Sequence, residues 1–171
     1  TTFMQAHTKD RSRLLKSGIE EANVDRFLLG LFHGLNRQIY NAPIDLFIEY
    51  DLHRDQVAMR PYQFLSLERL IDEAVSATTD PRIVALAPGG LLSKSKVYNL
   101  TLAMLYKELY GVDRIPDFKA AGLEKEQGSR LYDEFLEYRD DREPGEEYEL
   151  VQHWAEDLKL TGYFTLVMEE G

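Results

Sequence analysis

His33-Gly34-Leu35-Asn36-Arg37-Gln38-Ile39-Tyr40-Asn41-Ala42-Pro43-Ile44-Asp45-Leu46-Phe47-Ile48-Glu49-Tyr50-Asp51-Leu52-His53 is the stretch on which the reading of this chain turns. His33, Arg37, Asn41, Asp45, Glu49 and His53 stand at steps of four within it. In a helix such steps stack side chains along one slowly drifting stripe. Leu35, Ile39, Ile44, Leu46, Phe47, Ile48 and Leu52 surround the stripe, which places much of it inside the fold as an expectation. Ionisable groups in an apolar interior must be paired, hydrogen-bonded or bound to a metal. The ladder is therefore a structural network or a site. As a network, Arg37 neutralises Asp45 or Glu49, and Asn41 bonds backbone freed by Pro43. As a site, Asp45, Glu49 and His53, with His33 as a further candidate, hold a metal or act as acid and base. Pro43 lacks the donor for an intrahelical bond, so it opens a second helix at its first turn or kinks one helix.

Helical spacing continues on both sides of the ladder. Leu15, Ile19, Ala22, Val24, Phe27, Leu28 and Leu31 predict one helix over 12–35, or two joined near Asn23, with Gly18 a second candidate break. Downstream, Phe64, Leu67, Ile71 and Ala74 mark a helix over 60–77 with Pro61 in its first turn, ended by Thr78-Thr79-Asp80-Pro81. The short run 82–87 reads as a buried strand or a turn of helix, and Pro88-Gly89-Gly90 as a loop. Ser93 or Ser95 caps the next helix, apolar on nearly every side and so expected to be central, which Gly111 closes. Two more helices are expected, from near Asp117 to Asp140 and from Glu146 to Leu160, and a short strand over 163–168. This predicts a mostly α, single-domain, bundle-like array of about six or seven helices over 1–171, with at most one or two short strands.

Composition narrows the function classes. A formal charge of −10, with 20 Lys and Arg scattered among 30 acids, argues against a nucleic-acid partner. There is no cysteine, so disulfides, thiolate metal sites and cysteine nucleophiles are excluded, in keeping with a cytoplasmic location. No uncharged stretch approaches the roughly 20 apolar residues of a membrane span, and no signal peptide is visible. The Pro88-Gly89-Gly90 segment lacks the spacing of a phosphate-binding loop, and a turn with a serine cap explains it. The acids around His153 and Trp154 read as a solvated face, with Trp154 in the core or serving as an anchor for a protein partner.

The run Asn41-Ala42-Pro43-Ile44-Asp45-Leu46-Phe47-Ile48-Glu49, preceded by His33 and Gln38, resembles the second-motif helix of zinc-dependent peptidases of the HExxH, or gluzincin-like, kind. The resemblance covers about 17 of 171 residues. It implies that Asp45 or Glu49 completes a zinc site as its third ligand and that Asn41 orients a ligand. No histidine here begins an HExxH; His33, for one, is followed by Gly34, Leu35, Asn36 and Arg37. The first motif would then lie upstream of Thr1, in a longer protein of which this chain is a piece, or the chain is an inactive relative. Beside this peptidase-like reading stands a non-catalytic helical module that meets another protein through its acidic, aromatic surface.

Overall fold

Helix-forming periodicity becomes helix almost throughout the computed structural model, which describes residues 2–163. Two short helices, α1 (Thr2–Ala6) and α2 (Thr8–Lys16), lead to a turn at Ser17 and Gly18. Gly18 takes φ +86°, a left-handed conformation open to glycine, so the chain breaks there and not at Asn23. The expected strand over 163–168 falls, beyond Tyr163, outside the described residues. Among those described the protein is a single all-α domain without strands.

α3 (Glu21–Asp55) is one helix of 35 residues that runs through both Asn23 and Pro43. Pro43 was expected to start a helix or kink one. It is buried, and the apolar row it shares with Leu35, Ile39, Leu46 and Phe47 keeps the helix together across the missing hydrogen bond. A turn at Val57–Met59 reverses the chain into α4 (Arg60–Thr79). The run expected as a strand or helical turn is helical, α5 (Pro81–Leu86), because Asp80 accepts a hydrogen bond from the Arg82 backbone N–H at 2.8 Å and Pro81 fits the first turn. α6 (Gly89–Tyr110) begins ahead of both expected caps, Ser93 and Ser95, so Gly89-Gly90 is its first turn and not a loop. It closes at Gly111, φ +72°. α7 (Gly122–Arg139) and α8 (Glu147–Asp157) complete the described helices, with Asp117 in a separate turn at Ile115–Phe118.

α6 is central, as its all-round apolar surface predicts. It packs against α3, α4 and α7, while α8 lies across α3. The larger core cluster joins Leu28, Ile39 and Leu46 of α3 to Val97 and Leu105 of α6, Phe135 of α7 and Trp154 of α8. A smaller one holds Leu67 and Ile71 of α4 against Leu100, Ala103 and Tyr106 of α6. α6 and α7 approach closely at Gly128, where a Cβ would stand 3.1 Å from Leu100 Cβ. Trp154 is fully buried, so the structure makes it core and not a partner's anchor.

Candidate functional site

The polar ladder follows the expected stripe but not the expected depth. His33, Arg37, Asn41 and Asp45 are exposed, and only Glu49 and His53 are partly buried. The core takes the neighbouring face, Val24, Leu28, Leu35, Ile39, Pro43, Leu46 and Phe47. Apolar neighbours in sequence misled here because Tyr40 and Ile48 lie on the solvent side with the ladder. A helix rises about 1.5 Å per residue, so His33 and His53 stand roughly 30 Å apart and cannot meet at one centre. Arg37 neutralises neither carboxylate: among the described residues it has no ion pair, and Asp45 and Glu49 have no cationic partner.

The lower end of the ladder is a polar clasp supplied by other helices. Gln63 of α4, 4% exposed, donates through Nε2 to the Glu49 carbonyl at 2.7 Å and to Glu49 Oε2 at 2.6 Å. Its Oε1 accepts from the Tyr110 hydroxyl at 2.7 Å and lies 3.3 Å from His53 Nδ1. The Tyr110 hydroxyl also reaches the Arg60 carbonyl at 3.1 Å, and Arg60 Nε donates to the His53 carbonyl at 2.8 Å, closing the end of α3. Burial, and then the Glu49 charge, hold the Tyr110 hydroxyl above its usual pKa. This clasp joins α3, α4 and α6 where the first two helices converge.

Beyond the clasp α3 and α4 lie apart over α6, and two adjoining hollows open between them. The first, about 250 Å³, is lined on α3 by Gly30, Gly34 and Gln38, on α4 by Ala77 and on α6 by Leu91 and Ser95. The second, about 220 Å³, takes Arg37, Gln38, Asn41 and Asp45 from α3, Leu70 from α4 and Asn99 from α6. Gln38 belongs to both and donates to Asn99 Oδ1 at 3.1 Å, a polar bridge from α3 to α6 where the two hollows adjoin; the row they make is called the channel. Small residues recur along it: Gly30, Gly34, Ala42, Ala77 and Ala87. A Cβ on Gly30 or Gly34 would meet nothing within 4 Å, so packing inside the chain demands neither glycine. Each is nonetheless disfavoured relative to alanine by about 1 kcal/mol in a helix interior.

Although Asp45 is exposed as a residue, the protein atoms crowding its carboxyl, and then the Glu49 charge, raise that carboxyl above the usual carboxylate range. A second charged concavity is different in kind. Arg54, Arg139 and Arg142 face it, but they pair with Asp55 at 2.7 Å, Glu108 at 2.6 Å and Asp51 at 2.8 Å, and the last pair ties α3 to the α7–α8 turn. At the start of α4, Val57, Tyr62 and Leu65 are exposed at 62%, 68% and 66%, beside an apolar concavity lined by Pro61, Phe64 and Tyr110.

Among the described residues no group of three or more His, Asp or Glu side chains could hold a metal ion. No described helix is long and apolar enough to cross a membrane. No family model, curated protein or solved structure matches the chain.

The sequence thus singled out Arg37, Asn41, Asp45 and Glu49, which do share one side of α3. It missed Gln63 and Tyr110, whose clasp depends on the packing of three helices. It also missed the channel residues Gly30, Gly34, Leu70, Ala77 and Asn99. Two glycines four apart inside a long helical pattern were the available signal.

Proposed function

We propose that this protein is a non-catalytic helical interaction module that seats one helix of a partner protein in the channel between α3 and α4. The observation that carries the reading is the row of two adjoining hollows over α6, which follows α3 from Gly30 to Asp45, about 22 Å at the helical rise. A helix of roughly 15 residues has that length. Small side chains on its walls let a further helix axis approach to the usual 8–10 Å or so. Amphipathic helices are recognised in grooves of this kind through anchors at i, i+3, i+4 and i+7. The absence of cysteine suits a module working in a reducing cytoplasm.

A photo-crosslinking side chain placed at Leu70 or Asn99, on two walls of the channel, tests the reading in extracts of the source cells. The expected result is that both positions capture the same peptide of one partner while Glu137, exposed on α7, does not. Equal labelling from Glu137, or no adduct from either wall, contradicts a channel-bound partner.

A further inference from the structure

Polar contacts along the seam between α7 and α8 set the two helices antiparallel. At one end Arg130 Nε lies 2.8 Å from Asp157 Oδ2. At the other the Tyr138 hydroxyl donates to Glu149 Oε2 at 3.5 Å, and its ring meets that of His153, centroids 6.3 Å apart. Glu134 stands midway on α7, one turn from both Arg130 and Tyr138, which sets its carboxyl against His153 and Asp157, themselves one turn apart on α8. Glu134 Oε2 is buried there, and no hydrogen-bond donor among the described residues reaches it. Arg130 is committed to Asp157. Charges on the other elements packed against α7 are engaged elsewhere: Lys94 of α6 holds the Leu158 carbonyl, Lys96 pairs with Glu124, Lys107 with Asp113, and Asp51 of α3 with Arg142. Burial, and then the Asp157 charge, raise the Glu134 carboxyl above the usual carboxylate range, against the opposing pull of His153 and Arg130.

We propose that α8 is latched to α7 by one proton shared between Glu134 and Asp157, and that α8 loosens when this proton leaves. With the proton in place, Glu134 donates its O–H to Asp157, which Arg130 keeps ionised, and the buried oxygen is no longer an acceptor without a donor. Without it, two carboxylates face each other across the seam with a single arginine between them, an arrangement that both repulsion and burial disfavour. Glu134 holds its proton more tightly in the folded chain than in the unfolded one. The latch is therefore complete below the unfolded pKa and is lost as pH rises through the folded one. α8 brings Leu150, Val151 and Trp154 to the core, so the proton governs how firmly that end of the core is covered.

Carbon-13 NMR titration of the glutamate carboxyls in the whole protein reads the proton. Glu134 is expected to titrate at higher pH than Glu137, which is exposed on the same helix, and to move down in Asp157→Asn, whose amide can donate to it. Amide hydrogen exchange, corrected for the intrinsic rate at each pH, reads the latch. Protection of Leu150, Val151 and Trp154 should fall in the wild type as pH is raised through the Glu134 midpoint. It should stay level in Glu134→Gln, whose amide donates to Asp157 at every pH. Glu137→Gln, which removes the same charge from an exposed position, should follow the wild type. A Glu134 carboxyl that titrates with Glu137, or does not move in Asp157→Asn, overturns the shared proton. Protection that does not change with pH in the wild type, or that falls equally in Glu134→Gln, overturns the latch.

Discussion

Gln63 is one of the few polar side chains buried among the described residues, and its amide is used at both ends. Truncation to alanine removes the donor to Glu49, leaves the Tyr110 hydroxyl without one of its partners and opens a void where α3, α4 and α6 converge. Gln63→Ala is expected to cost about 2–4 kcal/mol in urea denaturation. Tyr110→Phe, which keeps the ring, should cost about 1 kcal/mol. Asp45 makes the opposite prediction. Its folded-state pKa lies above the unfolded value of about 3.9, so the ionised form weakens the fold. Its destabilising effect is absent below the unfolded pKa and grows as pH rises through the folded one. Asp45→Asn should therefore be more stable than the wild type at pH 7, the difference vanishing in acid; equal stability at pH 7 contradicts an uncompensated carboxylate. The sequence revealed Asp45, Glu49 and His53 by their spacing. It could not reveal Gln63, because a lone glutamine in α4 gains its meaning only from the helices that surround it.

α3 shows how far pattern reaches at the scale of an element. Its heptad-like apolar row was visible, yet Pro43 and Asn23 suggested interruptions that the packing of Leu35, Ile39, Leu46 and Phe47 overrides. The helix over 60–77 was legible to within two residues because Pro61 and Thr78-Thr79-Asp80-Pro81 mark its ends chemically. Residues 81–86 were ambiguous because a six-residue apolar run has no resolvable period, and the Asp80 cap decides for helix. Glycines now separate by environment. Gly30→Ala and Gly34→Ala, with open space for a Cβ, should each stabilise the protein by about 0.5–1 kcal/mol. Gly128→Ala should yield no such gain and should lower the midpoint, because its Cβ would press on Leu100 Cβ at 3.1 Å, an atom fixed to the α6 backbone. Thermal melts of the three variants check both statements. Stabilisation by Gly128→Ala would show that α6 and α7 have slack at their crossing.

For the whole molecule, the mostly α, one-domain architecture and the central place of α6 followed from apolar periodicity alone. The channel did not, because it arises from the way α3 and α4, tied at one end by the Gln63 clasp, lie across α6 without closing on each other. No property of either helix taken separately contains that gap. Trp154, whose burial pins α8 over the core, should be indispensable: Trp154→Ala is expected to cost about 3–5 kcal/mol. A midpoint near that of the wild type would mean that α8 contributes little to the core.

Backbone amide NMR of the protein titrated with a 15-residue amphipathic helical peptide carrying one Ala/Leu face addresses the helix seat most directly. Shifts confined to Gly30, Gly34, Gln38, Asn41, Asp45, Leu70, Ala77 and Asn99, and abolished by Gly34→Leu, are the predicted result. Shifts centred on α7 or α8, or a spectrum that does not change, would contradict a channel built to receive a helix.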